Sequence, residues 1–255
     1  MIKRFSLFFL IALVFISCAP KERLVYFQGI KDSQPGAEKV DYEPQLQPDD
    51  LLLIIVSAPD PETALPYNLI AYTATSDSEK VGNGAQYQTY LIDANNTIEF
   101  PVLGSVKLGG LTKTQAVEKL KNELKKYIIS PIVNLRIMNY KISVLGEVAK
   151  PGSYNVVSER ITVPEALSKA GDLSIYGDRK NILVIREING VKTHNFIDIT
   201  SANFIDSPFY YLDKNDVVYI QPNKTKINSS VIGPNITAGL TAISLLVTVV
   251  ALLIR

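Results

Sequence analysis

Covalent chemistry has few candidates in this chain. There is one histidine, His194, and one cysteine, Cys18. One imidazole and one thiol cannot build a His/Cys metal cluster. His194 stands between Thr193 and Asn195 on a predicted strand, where a surface position fits better than a catalytic one. Asp49-Asp50 has the look of an acid/base pair, but neighbours on a strand point to opposite faces, and capping a turn suits them better. Gly82-Asn83-Gly84 lacks the strand-to-helix setting of a dinucleotide loop, and there is no phosphate-cradling Gly-Lys-Ser/Thr motif. The 13 tyrosines and absent tryptophan read first as core and interface residues. No catalytic, cofactor-binding or metal-binding residue is assigned, and the chain reads as a non-enzyme.

The two ends carry most of the signal. Met1–Ser17 has a basic head, Lys3-Arg4, and an apolar stretch Phe5–Ile16 of 12 residues. That is the pattern of a secretory signal and is short for a permanent span. Phe15-Ile16-Ser17-Cys18 resembles the lipobox of bacterial lipoproteins. The resemblance implies acylation of Cys18 and, with Ala19 following, an outer-membrane destination. A lone thiol also forms no internal disulfide.

Residues 231–254 carry no charge, and Ile236–Ile254, 19 residues long, approaches the length of a transmembrane helix. Pro234 suits the first turn of that helix. Thr237, Thr241, Ser244 and Thr248 recur at intervals of 4, 3 and 4, which places them on one helical face. Such a stripe packs against neighbouring helices, faces water inside a ring of helices, or bonds its own backbone in a single-pass anchor.

Between the ends the sequence is that of a soluble protein. Across the whole chain 47% of residues are hydrophobic and 20% charged, with 26 basic residues against 25 acidic. A near-neutral chain has no electrostatic footprint for nucleic acid. Residues 18–40 read as a linker. Leu51–Val56 is a continuous apolar run expected as a buried strand. Ser57–Ala85 reads as a long surface loop, and Tyr87–Ile92 with Thr97–Phe100 as a hairpin around Asp93–Asn96, followed by a strand at Val102–Val106. Thr112 with Gln115, and Thr162 with Glu165, are capping boxes that start two helices. The first buries Ala116, Val117, Leu120, Leu124 and Tyr127; Gly171 closes the second. Strands are expected at Ile132–Met138, Ile142–Val148, Ile182–Ile188, Val191–Ile199 and Val217–Ile220. Asn189-Gly190 turns a hairpin, and Pro151-Gly152 is a turn.

Two echoes run through this middle. Leu103-Gly104-Ser105-Val106 is matched by Leu145-Gly146-Glu147-Val148, and a capped helix follows each. Leu46…Asp50 before Leu51–Ile54 is matched by Leu212…Asp216 before Val217–Ile220. The expected fold is therefore α+β: two small strand–helix units of related construction, followed by one C-terminal transmembrane helix.

The run Phe100–Val106, then Gly110-Leu111-Thr112, then Ser130-Pro131-Ile132-Val133 resembles the polysaccharide export domain. Val144–Tyr154 with Thr162–Gly171 resembles a soluble-ligand-binding β-grasp (SLBB) domain. The ordered set covers about Tyr42–Pro222, and the whole chain resembles a short Wza-type polysaccharide exporter. Pro48-Asp49-Asp50 stands where the family has Pro-Gly-Asp, and Asp172 where it has a second Gly.

The resemblance implies a signal peptide 1–17, an export domain 41–138, a β-grasp-like SLBB domain 139–223 and a transmembrane helix 231–254. It also implies an outer-membrane lipoprotein with its soluble domains in the periplasm. Its copies would form a homo-oligomeric ring in the lipid bilayer that passes capsular or extracellular polysaccharide. An inner-membrane copolymerase of the chain-length-determinant, tyrosine-autokinase type would be its partner. An outer-membrane scaffold or glycan-binding lipoprotein, and an enzyme acting on surface sugar, remain the other readings.

Overall fold

The structure, a computed structural model, describes residues 21–31, 43–72, 85–188, 190–231 and 234–253. Cys18 and Gly82-Asn83-Gly84 lie outside them. The described chain is mixed α+β, with two separate hydrophobic cores that follow each other in sequence.

The first core gathers around β1 (Leu51–Ser57), which lies between β4 (Tyr90–Leu91) and β7 (Ile132–Ile137) in an antiparallel sheet. Helix α1 (Lys113–Leu124) packs on it through Ala116, Leu120 and Leu124. Its capping box is formed: Gln115 N donates to Thr112 Oγ1, and Thr112 N donates to the Gln115 side chain. Tyr127 lies beyond the helix end and is exposed, while Ile128 takes the buried place instead. The apolar run of β1 is not buried on both faces. Leu52, Ile54 and Val56 face the core, and Leu51, Leu53 and Ile55 are half-buried, because the helix covers one face of this sheet only.

The described part of the expected loop, residues 57–72, holds a helical turn at Pro61–Ala64 and a short strand, β2 (Ile70–Tyr72), which pairs with β3 (Ala85–Tyr87). The expected Tyr87–Ile92/Thr97–Phe100 hairpin is also replaced. β4 joins β1, and β5 (Thr97–Phe100) pairs instead with β6 (Gly104–Lys107). Asp93 still makes the turn, accepting from Asn95 N and Thr97 N, but it reverses the chain without pairing the strands beside it.

The second core lies under a five-stranded sheet. Its strands are β8 (Lys141–Gly146), β9 (Gly152–Asn155), β11 (Gly177–Ile188), β12 (Val191–Ile197) and β14 (Val217–Pro222), in the order β12-β11-β14-β8-β9. Within this sheet only β8 and β14 run parallel; two short strands outside it, β10 (Ile161–Thr162) and β13 (Tyr211–Leu212), pair with each other. Pro151-Gly152, expected as a turn, leads directly into β9, which begins at Gly152. Helix α2 (Val163–Lys169) packs beneath through Val163, Ala166 and Leu167. Its Thr162/Glu165 capping box is formed as well. The β11–β12 hairpin joins Ile188 to Val191 as expected.

Residues 21–31 are not free linker. Phe27 N donates to Ile199 O at 3.1 Å, Gln28 N to Thr200 O at 2.6 Å, and Ala202 N to Gln28 O at 3.0 Å. Tyr26 and Phe27 pack on the second core. Two aromatic rings give this strap an apolar payload that a plain linker lacks.

Beyond β14 the chain forms α3 (Lys224–Val231) and α4 (Pro234–Leu253). Among the described residues no helix is long and apolar enough to cross a membrane. The longest stretch of α4 with described side chains is 241–250, so these residues do not by themselves carry the expected span at 231–254.

Both glycines of the first echo sit at positive φ, Gly104 at 74° and Gly146 at 90°. Their surroundings differ. A Cβ on Gly146 would meet Ile220 O at 2.0 Å, while one on Gly104 meets nothing within 4 Å. Gly104→Ala is therefore expected to cost about 1–2 kcal/mol from backbone strain alone. Gly146→Ala should cost clearly more, because it also pushes β8 off β14. Equilibrium denaturation of both variants checks the order.

Candidate functional site: a charged junction and an exposed helix

The second echo builds the junction between the two units. In the turn before β1, Gln47 N donates to Asp50 Oδ2 at 2.8 Å, Asp50 N donates to Gln47 O at 3.2 Å, and Asp49 takes φ 68°. In the turn before β14, Asp213 N donates to Asp216 Oδ2 at 2.8 Å, Asp216 N donates to Asp213 O at 3.2 Å, and Asn215 takes φ 64°. The two turns are the same device. Each leads from a buried leucine, Leu46 or Leu212, to a buried aspartate, and each puts Asp or Asn where the left-handed backbone is needed. Asp49-Asp50 is thus a turn cap as expected.

Each buried aspartate has a cation. Arg186 holds Asp216 through Nη2 at 2.7 Å and Nε at 3.0 Å, and its Nη1 reaches Asp213 at 3.1 Å. Its guanidinium also lies over the Phe209 ring at 5.1 Å. The cation for Asp50 comes from the other unit: Lys214, in the second turn, pairs with Asp50 in the first, and their side chains are only 9% and 1% exposed. Asn139, between β7 and β8, completes the seam. It accepts from Leu51 N at 3.1 Å and donates to Asp49 O at 2.7 Å. Tyr140 beside it donates to Leu212 O at 2.5 Å.

Burial sets the electrostatics. It pushes Asp216 up to about 6, against the opposing pull of Arg186. It pushes the Lys214 ammonium down to about 8, against the pull of Asp49. Burial also raises the Tyr140 phenol, and Asp213 and Asp216 add to the rise. All three side chains are buried: Lys214 crosses to Asp50 of the first unit, while Asp216 and Tyr140 are held by partners within the second. A cleft of about 360 Å³ lies between the strap and α2. Tyr26, Phe27, Leu167, Asp172 and Ile199 line it, and Tyr26 donates to Asp172 Oδ1 at 2.7 Å across it.

Asp172, standing where the resemblance has glycine, takes φ 69°. Its Oδ1 accepts from its neighbour Leu173 N at 2.7 Å, a local bond that helps a non-glycine residue hold this conformation. His194 lies exposed on β12. No group of three or more His, Cys, Asp or Glu able to hold a metal occurs among the described residues.

The hydroxyl stripe lies on α4. Thr241, Ser244 and Thr248 are exposed, and Thr237 is in the helix, its side chain outside the description. Ser244 Oγ donates to Thr241 O at 2.8 Å, and Thr248 Oγ1 to Ser244 O at 2.7 Å. Around them Ile243, Leu245, Leu246, Val247, Val250 and Leu252 are exposed.

Sequence reading missed Lys214, Arg186, Asn139 and the Tyr26–Asp172 contact. Arg186 carried one signal. It continues the inward alternation of Ile182 and Val184, and a charge in a core-facing position needs a buried partner. Lys214 offered none, because it sits in a polar turn whose neighbour is set by tertiary structure.

This fold and junction sit within two consecutive family matches. Residues 38–138 match the family described as polysaccharide biosynthesis/export protein, and residues 140–220 match the SLBB domain. The chain is also similar to two curated proteins, each named EPS I polysaccharide export outer membrane protein EpsA. The one from Ralstonia nicotianae is 27% identical over 139 residues, 53% of this chain and 36% of the relative. The one from Ralstonia solanacearum is 25% identical over 191 residues, 72% of this chain and 50% of the relative. The chain thus spans about a third to a half of the length of these relatives. The matched export family is not a family of enzymes.

Removing one partner of a buried ion pair strands the other, typically at about 3–5 kcal/mol. Lys214→Met is expected to destabilise the chain by about that much, and Asp50→Leu added to it should recover part of the loss. The folded chain releases the Lys214 proton near pH 8 and an unfolded lysine near 10.5. Between those values the unfolded state holds more protons, so this group adds stability as pH rises from 8 to 10.5. The thermal midpoint of the wild type should therefore gain on Lys214→Met across that window, as a paired scanning-calorimetry series would show.

Proposed function

We propose that this chain is a protomer of an outer-membrane channel that passes a capsular or extracellular polysaccharide without covalent chemistry on the protein. The observation that carries the reading is α4: 20 residues without a charge, with Leu245 and Leu246 each 63% and Leu252 69% exposed. An apolar helix with no core of its own needs lipid or other helices around it. The two family matches and the names of the relatives support a role in polysaccharide export.

In this reading residues 1–17 are removed, Cys18 is acylated, and 41–138 and 139–223 form the export and SLBB domains in the periplasm. Copies close into a homo-oligomeric ring, and their helices 231–254 enter the bilayer together. Thr237, Thr241, Ser244 and Thr248 then face the lumen or the next helix. An inner-membrane copolymerase of the chain-length-determinant, tyrosine-autokinase type meets the periplasmic end.

A second reading is favoured by the hydroxyls themselves. Ser244 and Thr248 donate to their own helix, which leaves the stripe with no demand for water and suits an anchor on a scaffold or glycan-binding lipoprotein. The triple variant Thr241→Leu/Ser244→Leu/Thr248→Leu separates the two. A channel predicts that surface polymer falls at least tenfold while the protein stays in the outer membrane. Unchanged surface polymer supports the scaffold.

A further inference from the structure

The end of the second unit that releases α3 and α4 also carries the strap. A chain of contacts joins them. Tyr26 lies under the Arg179 guanidinium, 5.7 Å from it, and Arg179 Nη1 donates to Gly177 O at 3.0 Å. In the adjoining loop, Ile175 O and Tyr176 O accept from Asn223, at 3.1 Å from its side chain and 2.7 Å from its backbone. Asn223 Oδ1 in turn accepts from Lys226 N at 3.0 Å, in the first turn of α3. Lys226 Nζ sits over the Tyr176 ring at 5.1 Å.

Apolar side chains are exposed at this end. Leu24 and Val25 on the strap are 41% and 49% exposed, and Ile175 and Tyr176 are 59% and 40% exposed. Lys21 and Arg23 stand beside the strap residues in sequence, and Lys224 and Lys226 lie on the first turn of α3, with Lys226 over the Tyr176 ring; all four are exposed. The acids on the same segments are Glu22 and Asp178, while Asp172 is engaged by Tyr26. Aliphatic tips, a tyrosine and an excess of basic side chains make the composition of a surface seated at lipid headgroups. Basic residues there gain from anionic lipid within a Debye length.

We propose that this end of the second unit rests on a phospholipid surface through Leu24, Val25, Ile175 and Tyr176, with Lys224 and Lys226 on the headgroups. The inference rests on the reading that α4 enters a membrane, since α4 leaves from the same end. It adds a contact that is neither acyl chain nor helix. Lys21 lies three residues after Cys18, so an acyl anchor there stays within about 10 Å of the strap, consistent with this placement.

The chain contains no tryptophan, so a single introduced indole reports one position. The full-length protein is reconstituted in phosphatidylcholine/phosphatidylglycerol vesicles with brominated acyl chains. The variants are Leu24→Trp, Ile175→Trp, Leu246→Trp on α4 and Ile129→Trp on the first unit. Emission from positions 24, 175 and 246 is expected to fall at least twofold and that from 129 to stay unchanged. Lys224→Glu with Lys226→Glu should restore most of the emission at 175. Quenching at 246 with none at 24 and 175 overturns the headgroup contact while leaving membrane entry of α4 intact. Absence of quenching at 246 overturns the reading of α4, and this inference with it.

Discussion

The ion pair between Asp50 and Lys214 is the constraint on which the arrangement of the two units depends. Each unit has its own core, and two small cores joined by a short connection would ordinarily move against each other. Here the connection is Met138–Tyr140, and both of its sides are tied. Met138 N donates to Leu51 O at 2.8 Å, Asn215 N to Lys141 O at 2.8 Å and Ser143 N to Asp216 O at 2.9 Å. The two aspartate turns face each other across this seam, and Lys214 of one neutralises Asp50 of the other. A buried lysine paired with a buried carboxylate tolerates little separation, because parting the charges leaves both desolvated. Ile137, packed against both cores, adds an apolar contact at the same place.

A fixed angle between units matters for the proposed assembly. Head-to-tail contacts close into a ring only when each protomer turns the chain of copies by the same amount. The strap and α3 belong to the second unit alone, so in the proposed membrane setting that unit is held near the lipid and the first is carried away from it. The junction then sets how the first unit is presented to whatever meets it. The two buried aspartates divide the labour: Asp50 is held across the junction by Lys214, and Asp216 fixes the turn before β14 with Arg186 inside the second unit.

Much of this is legible in the sequence. The two capping boxes, the β11–β12 hairpin and the start of a C-terminal helix at Pro234 rest on local signals, and local geometry decided them. The echo of Leu46…Asp50 in Leu212…Asp216 was visible as sequence and proved to be a repeated turn. What could not be read was pairing at a distance. Thr97–Phe100 chose β6 over the Tyr87–Ile92 segment, and residues 21–31 docked on the second core although polar residues, Pro and Gly dominate the linker around them. Nothing in the type of Lys214 says that it crosses to the other unit. Its neighbour is fixed by how the two sheets meet, which local pattern does not encode.

The central claim, that rigid two-unit protomers close into a membrane-inserted ring, is tested most directly by single-particle imaging of the full-length, lipidated protein in mild detergent. The account predicts a closed ring with the C-terminal helices bundled at one end and one angle between the units in every protomer. A population of monomers or dimers at high protein concentration would contradict it.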